Sequence, residues 1–317
     1  MPPVATKTIL RYFSDALAAP RCACVQQNDL MALLCGVKDV LYANIVPAQA
    51  AAFRELCSDF RLKTESLVGI RNIGGESAQD VLVGWDKKKL LAARKAYADI
   101  LSAEWGIALG YPECCVKSYL AWKADQSRDL VLHILHNSAR GRLLDFRLNN
   151  VYNYFSRLEN PGFRSPQRGP FAPVSDGEMF RRFLELNRGV NCEPVLPWHP
   201  CAYDCKKSLS AAKKLFGFME ACTPLAAAAR RKLLSRPVVF RDKFDFAALS
   251  GGCSVSGGVF RLEYGSIAAP LAFPGGNEKS LLESNSVLKC RSGKTPLFPS
   301  GGALPRGYAL LPFSAAP

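Results

Sequence analysis

Apolar and polar positions alternate along this chain with a period that changes twice. Val40 to Val46 is a short apolar run, which predicts a strand. Ala48 to Phe60 carries apolar residues at three- and four-residue spacing, which predicts an amphipathic helix, and Leu62 to Ile70 predicts a second strand. Together they read as a βαβ-type unit. After a Gly74-Gly75 turn, Gln79 to Gly84 predicts a further short strand and Lys87 to Leu101 a Lys- and Ala-rich helix. A helix is also expected near Ile9 to Leu17.

From Pro112 the period is helical. Pro112 to Ala124, Gln126 to Ala139 and Leu143 to Leu158 each predict a helix, and Cys205 to Ser235 predicts one long helix broken near Pro224. Between them, Asn160 to Pro173 is so dense in Pro, Gly and basic residues that it reads as a loop, either a lid or a plain surface excursion. Beyond Pro237 the apolar runs are short (Val238 to Phe240, Val259 to Tyr264, Tyr308 to Leu311) and separated by Gly and Pro, as in small strands. The expected fold class is α+β: an N-terminal α/β domain over 1–105, a helical domain over 106–236 and an irregular β-rich segment over 237–317.

Composition adds a core and a charge to this picture. Of the 317 residues, 49% are hydrophobic and 21% charged, enough to bury a core without staples. No apolar run reaches the length of a membrane span and Met1 to Lys7 has no signal-peptide pattern, so the expectation is a cytoplasmic protein without membrane contact. The formal charge of +14 favours an anionic partner, either a small molecule or nucleic acid. Its densest patches, Lys87 to Lys89, Lys206-Lys207 with Lys213-Lys214, and Arg230 to Lys232, fall on helical patterns and read first as solvated faces.

The twelve cysteines carry the candidate chemistry. In a chain with this core they are expected to be reduced, and Cys35, Cys57, Cys222 and Cys253 sit in apolar or small-residue surroundings as small hydrophobes. Two other groups differ. In Gly110-Tyr-Pro-Glu-Cys-Cys115, Gly110 suits a tight turn and Pro112 the first turn of a helix, placing both thiols where unpaired N–H groups and the helix dipole stabilise a thiolate. Neighbouring residues diverge by about 100° on a helix, so this pair is expected to suit a multinuclear cluster better than one tetrahedral ion. One ligand backed by a second thiol is the alternative.

In His199-Pro-Cys-Ala-Tyr-Asp-Cys205, Cys201 and Cys205 again meet a helix start, with Asp204 as the expected N-cap and His199 held extended by Pro200. Cys114, Cys115, Cys201 and Cys205, with His199, offer four or five ligands to an iron-sulfur cluster or zinc. Buried free thiols and a dithiol redox pair are the competing readings, the second weakened by the lack of CxxC. His133 and His136 lie three apart on one predicted helix and either join the site or bond locally to backbone or Asn137. Asn149 and Asn150 precede an aromatic run and read as amide caps or pocket donors. There is no GxSxG, Walker A, HExxH or GxGxxG pattern, and Gly251-Gly252 and Gly301-Gly302 read as turns.

The pairing of Gly110-Tyr-Pro-Glu-Cys-Cys115 with Pro200-Cys-Ala-Tyr-Asp-Cys205 resembles an uncharacterised prokaryotic family, domain of unknown function 483, over about residues 105 to 215. That resemblance implies that the two motifs belong together and implies no reaction. The functional expectation is a metalloenzyme of open reaction class, acting on an anionic substrate attracted by the basic residues. The alternative is a nucleic-acid-binding or RNA-processing accessory protein with a structural zinc site.

Overall fold

The computed structural model of the protein describes residues 9, 12–13, 27–73, 76–99, 102–125, 127–151, 194–242, 245–270, 281–291, 296–299, 303–304 and 306–315. The architecture is α+β, with an N-terminal α/β sheet, a helical middle and a C-terminal antiparallel sheet. Two units make it up, one holding the three-stranded sheet and the other the five-stranded sheet. The expected helix near Ile9 to Leu17, the Gly74-Gly75 turn, the Asn160 to Pro173 loop and the Gly301-Gly302 turn lie wholly or mostly outside the described residues.

Among the described residues the first unit holds α1 (Gln27–Leu34), β1 (Val40–Ile45), α2 (Ala50–Asp59), β2 (Lys63–Ile73), β3 (Glu76–Gly84) and α3 (Lys87–Ala96). The sheet order is β1-β3-β2, and both outer strands run antiparallel to β3. β1 and β2 are therefore parallel and joined through α2, and the expected βαβ unit exists in split form with β3 inserted by the β2–β3 connection. Phe53, Leu56 and Cys57 give α2 its buried stripe at i, i+3 and i+4. Val40, Leu82, Leu90 and Ala93 are fully buried together, each large member contributing about 1.5–3 kcal/mol of burial. Asp86 caps α3 by accepting from Lys88 N–H at 2.8 Å. The helix ends at Ala96 and closes in a 3-10 turn, Tyr97–Asp99, short of the predicted Leu101.

The helical middle comprises α4 (Ala103–Ala108), α5 (Glu113–Asp125), α6 (Leu130–Asn137), α7 (Lys206–Cys222) and α8 (Pro224–Leu234). Pro224 separates α7 from α8 as its missing N–H requires. Asp129 accepts from Val131 N–H and so starts α6 later than the predicted Gln126. The predicted helix over Leu143 to Leu158 is wrong where it is described. Leu144–Asp145 forms β4, paired in parallel with β10 (Phe313–Ser314), and Phe146–Leu148 is a 3-10 turn. Asp145 takes both the N–H and the guanidinium of Arg147, which closes that turn and overrides the helical spacing.

The five-stranded sheet has the order β8-β7-β6-β5-β9 from β5 (Val238–Asp242), β6 (Asp245–Ser256), β7 (Val259–Pro270), β8 (Val287–Arg291) and β9 (Ala309–Leu311). β6 and β7 meet at Gly257-Gly258, whose φ values of 55° and 74° make the two-residue hairpin that follows strand twist. Gly251-Gly252, expected as a turn, lies inside β6. A Cβ on Gly251 would come within 1.9 Å of the Glu263 carbonyl beside a register shift, so this glycine marks close strand approach and a bulge. Val239, Leu249, Phe260, Leu262 and Leu288 form the core of this sheet.

Candidate metal centre

The first cysteine motif is set by a turn and a proline. α4 ends in Gly110 at φ +88°, where a Cβ would lie 3.3 Å from Lys38 Cα, so glycine answers both the dihedral and the space. Gly110 N–H donates to the Ile107 carbonyl and Tyr111 N–H to that of Gly106. The Pro112 carbonyl then accepts from Cys115 N–H at 2.8 Å and Val116 N–H at 3.0 Å, opening α5. Both thiols occupy the first turn, with Cys114 exposed and Cys115 buried.

Their sulfurs stand 3.9 Å apart. The 100° step between neighbouring helix positions thus leaves the two sulfurs close together. Adjacent Cα atoms are only about 3.8 Å apart, and rotation about a single Cα–Cβ bond suffices to swing short side chains together despite the 100° step.

Behind this turn lies a cation. Lys38 is 1% exposed at its side chain, pairs with Asp29 at 2.5 Å and stands 4.9 Å from the centre of the Tyr111 ring. Asp29, with Tyr111, holds its ammonium above the ordinary lysine range against the opposing and larger cost of burial taken alone. Tyr111 also packs its ring 5.5 Å from that of Trp198, and His199 stacks on Tyr119 at 6.1 Å with the planes 10° apart.

The second motif is pinned by its backbone. Asn137 Nδ2 donates to the Cys201 carbonyl at 3.3 Å, Tyr203 N–H to Ser138 Oγ at 2.8 Å, and Tyr203 Oη–H to Asn150 Oδ1 at 2.7 Å. The Tyr203 ring also meets Phe313 edge-on at 5.2 Å. Asp204 does not serve as the expected N-cap: its carboxylate accepts from Ala139 N–H at 3.2 Å and lies 3.7 Å from Arg142. Cys205 stands at the mouth of α7 instead, its carbonyl accepting from Leu209 N–H at 2.8 Å. Cys201 and Cys205 are half-buried.

The four sulfurs of Cys114, Cys115, Cys201 and Cys205 lie within 4.8 Å of one another, a group that could hold a metal ion. Zinc bound by thiolates at about 2.3 Å sets tetrahedral sulfurs about 3.8 Å apart. Iron-sulfur clusters are likewise held by four cysteine thiolates, so four thiolates are the donor set of structural zinc and of iron-sulfur clusters alike. His199, His133 and His136 are outside this group. His133 Nε2 meets Asn137 Nδ2 at 3.1 Å, and burial, then Arg128 and His136, hold its imidazole below the ordinary range.

The cysteines read as small hydrophobes follow the opposite chemistry. Burial pushes the thiols of Cys57 and Cys253 up to about 12 and raises those of Cys35 and Cys222. The supporting residues Lys38, Tyr111, Trp198, Tyr203 and Ser138 were not singled out from the sequence. The aromatic residues inside both motifs were the available signal. Asn149, fully buried, donates to the Leu234 carbonyl and accepts from Val151 N–H, so it works as an amide cap.

No family model, curated protein or solved structure matches the chain, so the resemblance to domain of unknown function 483 rests on the two motifs alone. No helix among the described residues is long and apolar enough to cross a membrane.

Proposed function

We propose that this chain is a zinc protein in which Cys114, Cys115, Cys201 and Cys205 hold one ion, and that it binds nucleic acid. The observation that carries the metal assignment is the 4.8 Å limit on the sulfur separations. An ion held by four thiolates has its coordination filled, which is the pattern of structural rather than water-activating zinc. Zinc would supply a fixed tetrahedral tie, and the chain's own residues do the rest. Tyr203, Asn137 and Asp204 fix the loop bearing Cys201 and Cys205; Gly110 and Pro112 fix the turn bearing Cys114 and Cys115.

Binding is assigned to the surplus of 41 Lys and Arg over 27 Asp and Glu. Lys206, Lys207, Lys213 and Lys214 of α7 and Lys87, Lys88 and Lys89 of α3 are exposed. Titration of the full chain with single- and double-stranded nucleic acid tests this. The expected result is binding that weakens by at least about tenfold between 50 and 200 mM salt; no binding at 50 mM salt contradicts it.

A second reading, a metalloenzyme acting on an anionic small molecule, is favoured by the exposure of Cys114. Displacing that outermost ligand would open a coordination position. Retention of the ion with an exchangeable fourth ligand would support it, and four ligands that never exchange would remove it.

A further inference from the structure

The four grouped cysteines differ sharply in access. Cys114 is exposed, Cys201 and Cys205 are half-buried, and Cys115 is 3% exposed. Four thiolates around one divalent ion carry an excess of roughly two negative charges, and that excess resides on the sulfurs. Thiolate is the form of cysteine that attacks electrophiles, and metal coordination keeps a thiol in that form. Among the other described cysteines, Cys35, Cys57, Cys222 and Cys290 are buried, and burial holds the Cys57 and Cys253 thiols up to about 12. Among the described cysteines, charge and access therefore coincide at Cys114.

We propose that Cys114 is a metal-held nucleophile that accepts soft carbon electrophiles of the α,β-unsaturated carbonyl class. This deepens the metal reading above and rests on it. The Cys114 Sγ lone pair forms a bond to the β-carbon, the π electrons pass to the carbonyl side as an enolate, and water supplies the proton that completes the adduct. No group leaves and no oxidant is needed. The product is a neutral thioether, a weaker ligand than the thiolate it replaces, so each adduct loosens the ion. The remaining grouped cysteines are less accessible: Cys115 is buried, and Cys201 and Cys205 are half-buried.

The test uses the full metal-loaded chain with one equivalent of N-ethylmaleimide, after its metal content has been measured. Adducts are mapped by peptide mass spectrometry over time while a chromophoric chelator reports released ion. The expected result is an adduct at Cys114 that forms at least about tenfold faster than at any other cysteine of the described residues, with ion release following it. First adducts at Cys201, Cys205 or a core cysteine, on protein that carries its ion, overturn this proposal and leave the metal reading standing. A starting sample with no bound metal, even after reconstitution with zinc, overturns both.

Discussion

Cys57 and Cys114 each sit on a helix, yet they differ in everything that decides thiol chemistry. Cys57 is 7% exposed on the buried stripe of α2 beside Phe53 and Leu56, and burial there pushes its thiol up to about 12. Cys114 lies in the first turn of α5, exposed, 3.9 Å from the Cys115 sulfur and within 4.8 Å of those of Cys201 and Cys205. An apolar surround penalises the charged form, whereas a helix start favours a thiolate and a set of partner sulfurs offers donors to a metal ion. Composition counts the two as equals, and only position separates a packing residue from a candidate ligand.

The sharpest way to break this contrast is to replace Cys201 and Cys205 with serine. Metal content is expected to fall from about one ion per chain to nearly none, with folding stability lower by at least about 3 kcal/mol in denaturant titrations. Full occupancy in that variant would make the grouping incidental. A smaller effect is expected from Tyr203→Phe, which leaves the buried Asn150 oxygen without the hydroxyl that reaches it. The expected cost is about 1–3 kcal/mol, with metal held more weakly in chelator competition. An unchanged metal affinity would show that the loop needs no such tether.

On the other side of the contrast, Cys57→Ala is expected to cost about 1 kcal/mol and leave the ion in place. The pH dependence has a definite sign. A thiol raised in the folded state stays neutral while the unfolded chain ionises near the ordinary value of 9.0, so its contribution is complete below that pH. It is lost as pH rises toward 12, and wild type is expected to lose more stability over that window than Cys57→Ala. Parallel thermal melts of the two proteins from pH 8 to 11 check this, and identical slopes would place Cys57 in a more polar setting.

Much of this was legible beforehand because local rules and tertiary structure agreed. The strands at Val40 and Gln79 and the helix at Ala48 follow from spacing, and the break at Pro224 from the missing N–H. Both cysteine motifs were visible as thiol pairs, with Cys114, Cys115 and Cys205 at helix starts and Cys201 in the turn before α7. What escaped depended on partners far along the chain. Leu144 pairs with Phe313, a contact no local pattern announces, and Asp145 grips Arg147 where helical spacing pointed elsewhere. The convergence of Cys114 and Cys115 escaped for a rotameric reason, since helix geometry fixes Cα directions and leaves a sulfur one bond further out free to swing. Lys38 was hidden because a buried lysine needs Asp29 and Tyr111 together before its position makes sense.

The central claim is that four sulfurs this close hold a single ion. Metal and acid-labile sulfide analysis of the full chain, purified without oxygen, tests it most directly. The account predicts one zinc per chain and no sulfide. Iron accompanied by sulfide would contradict the single-ion geometry, and no metal after zinc reconstitution would return all four residues to the company of Cys57.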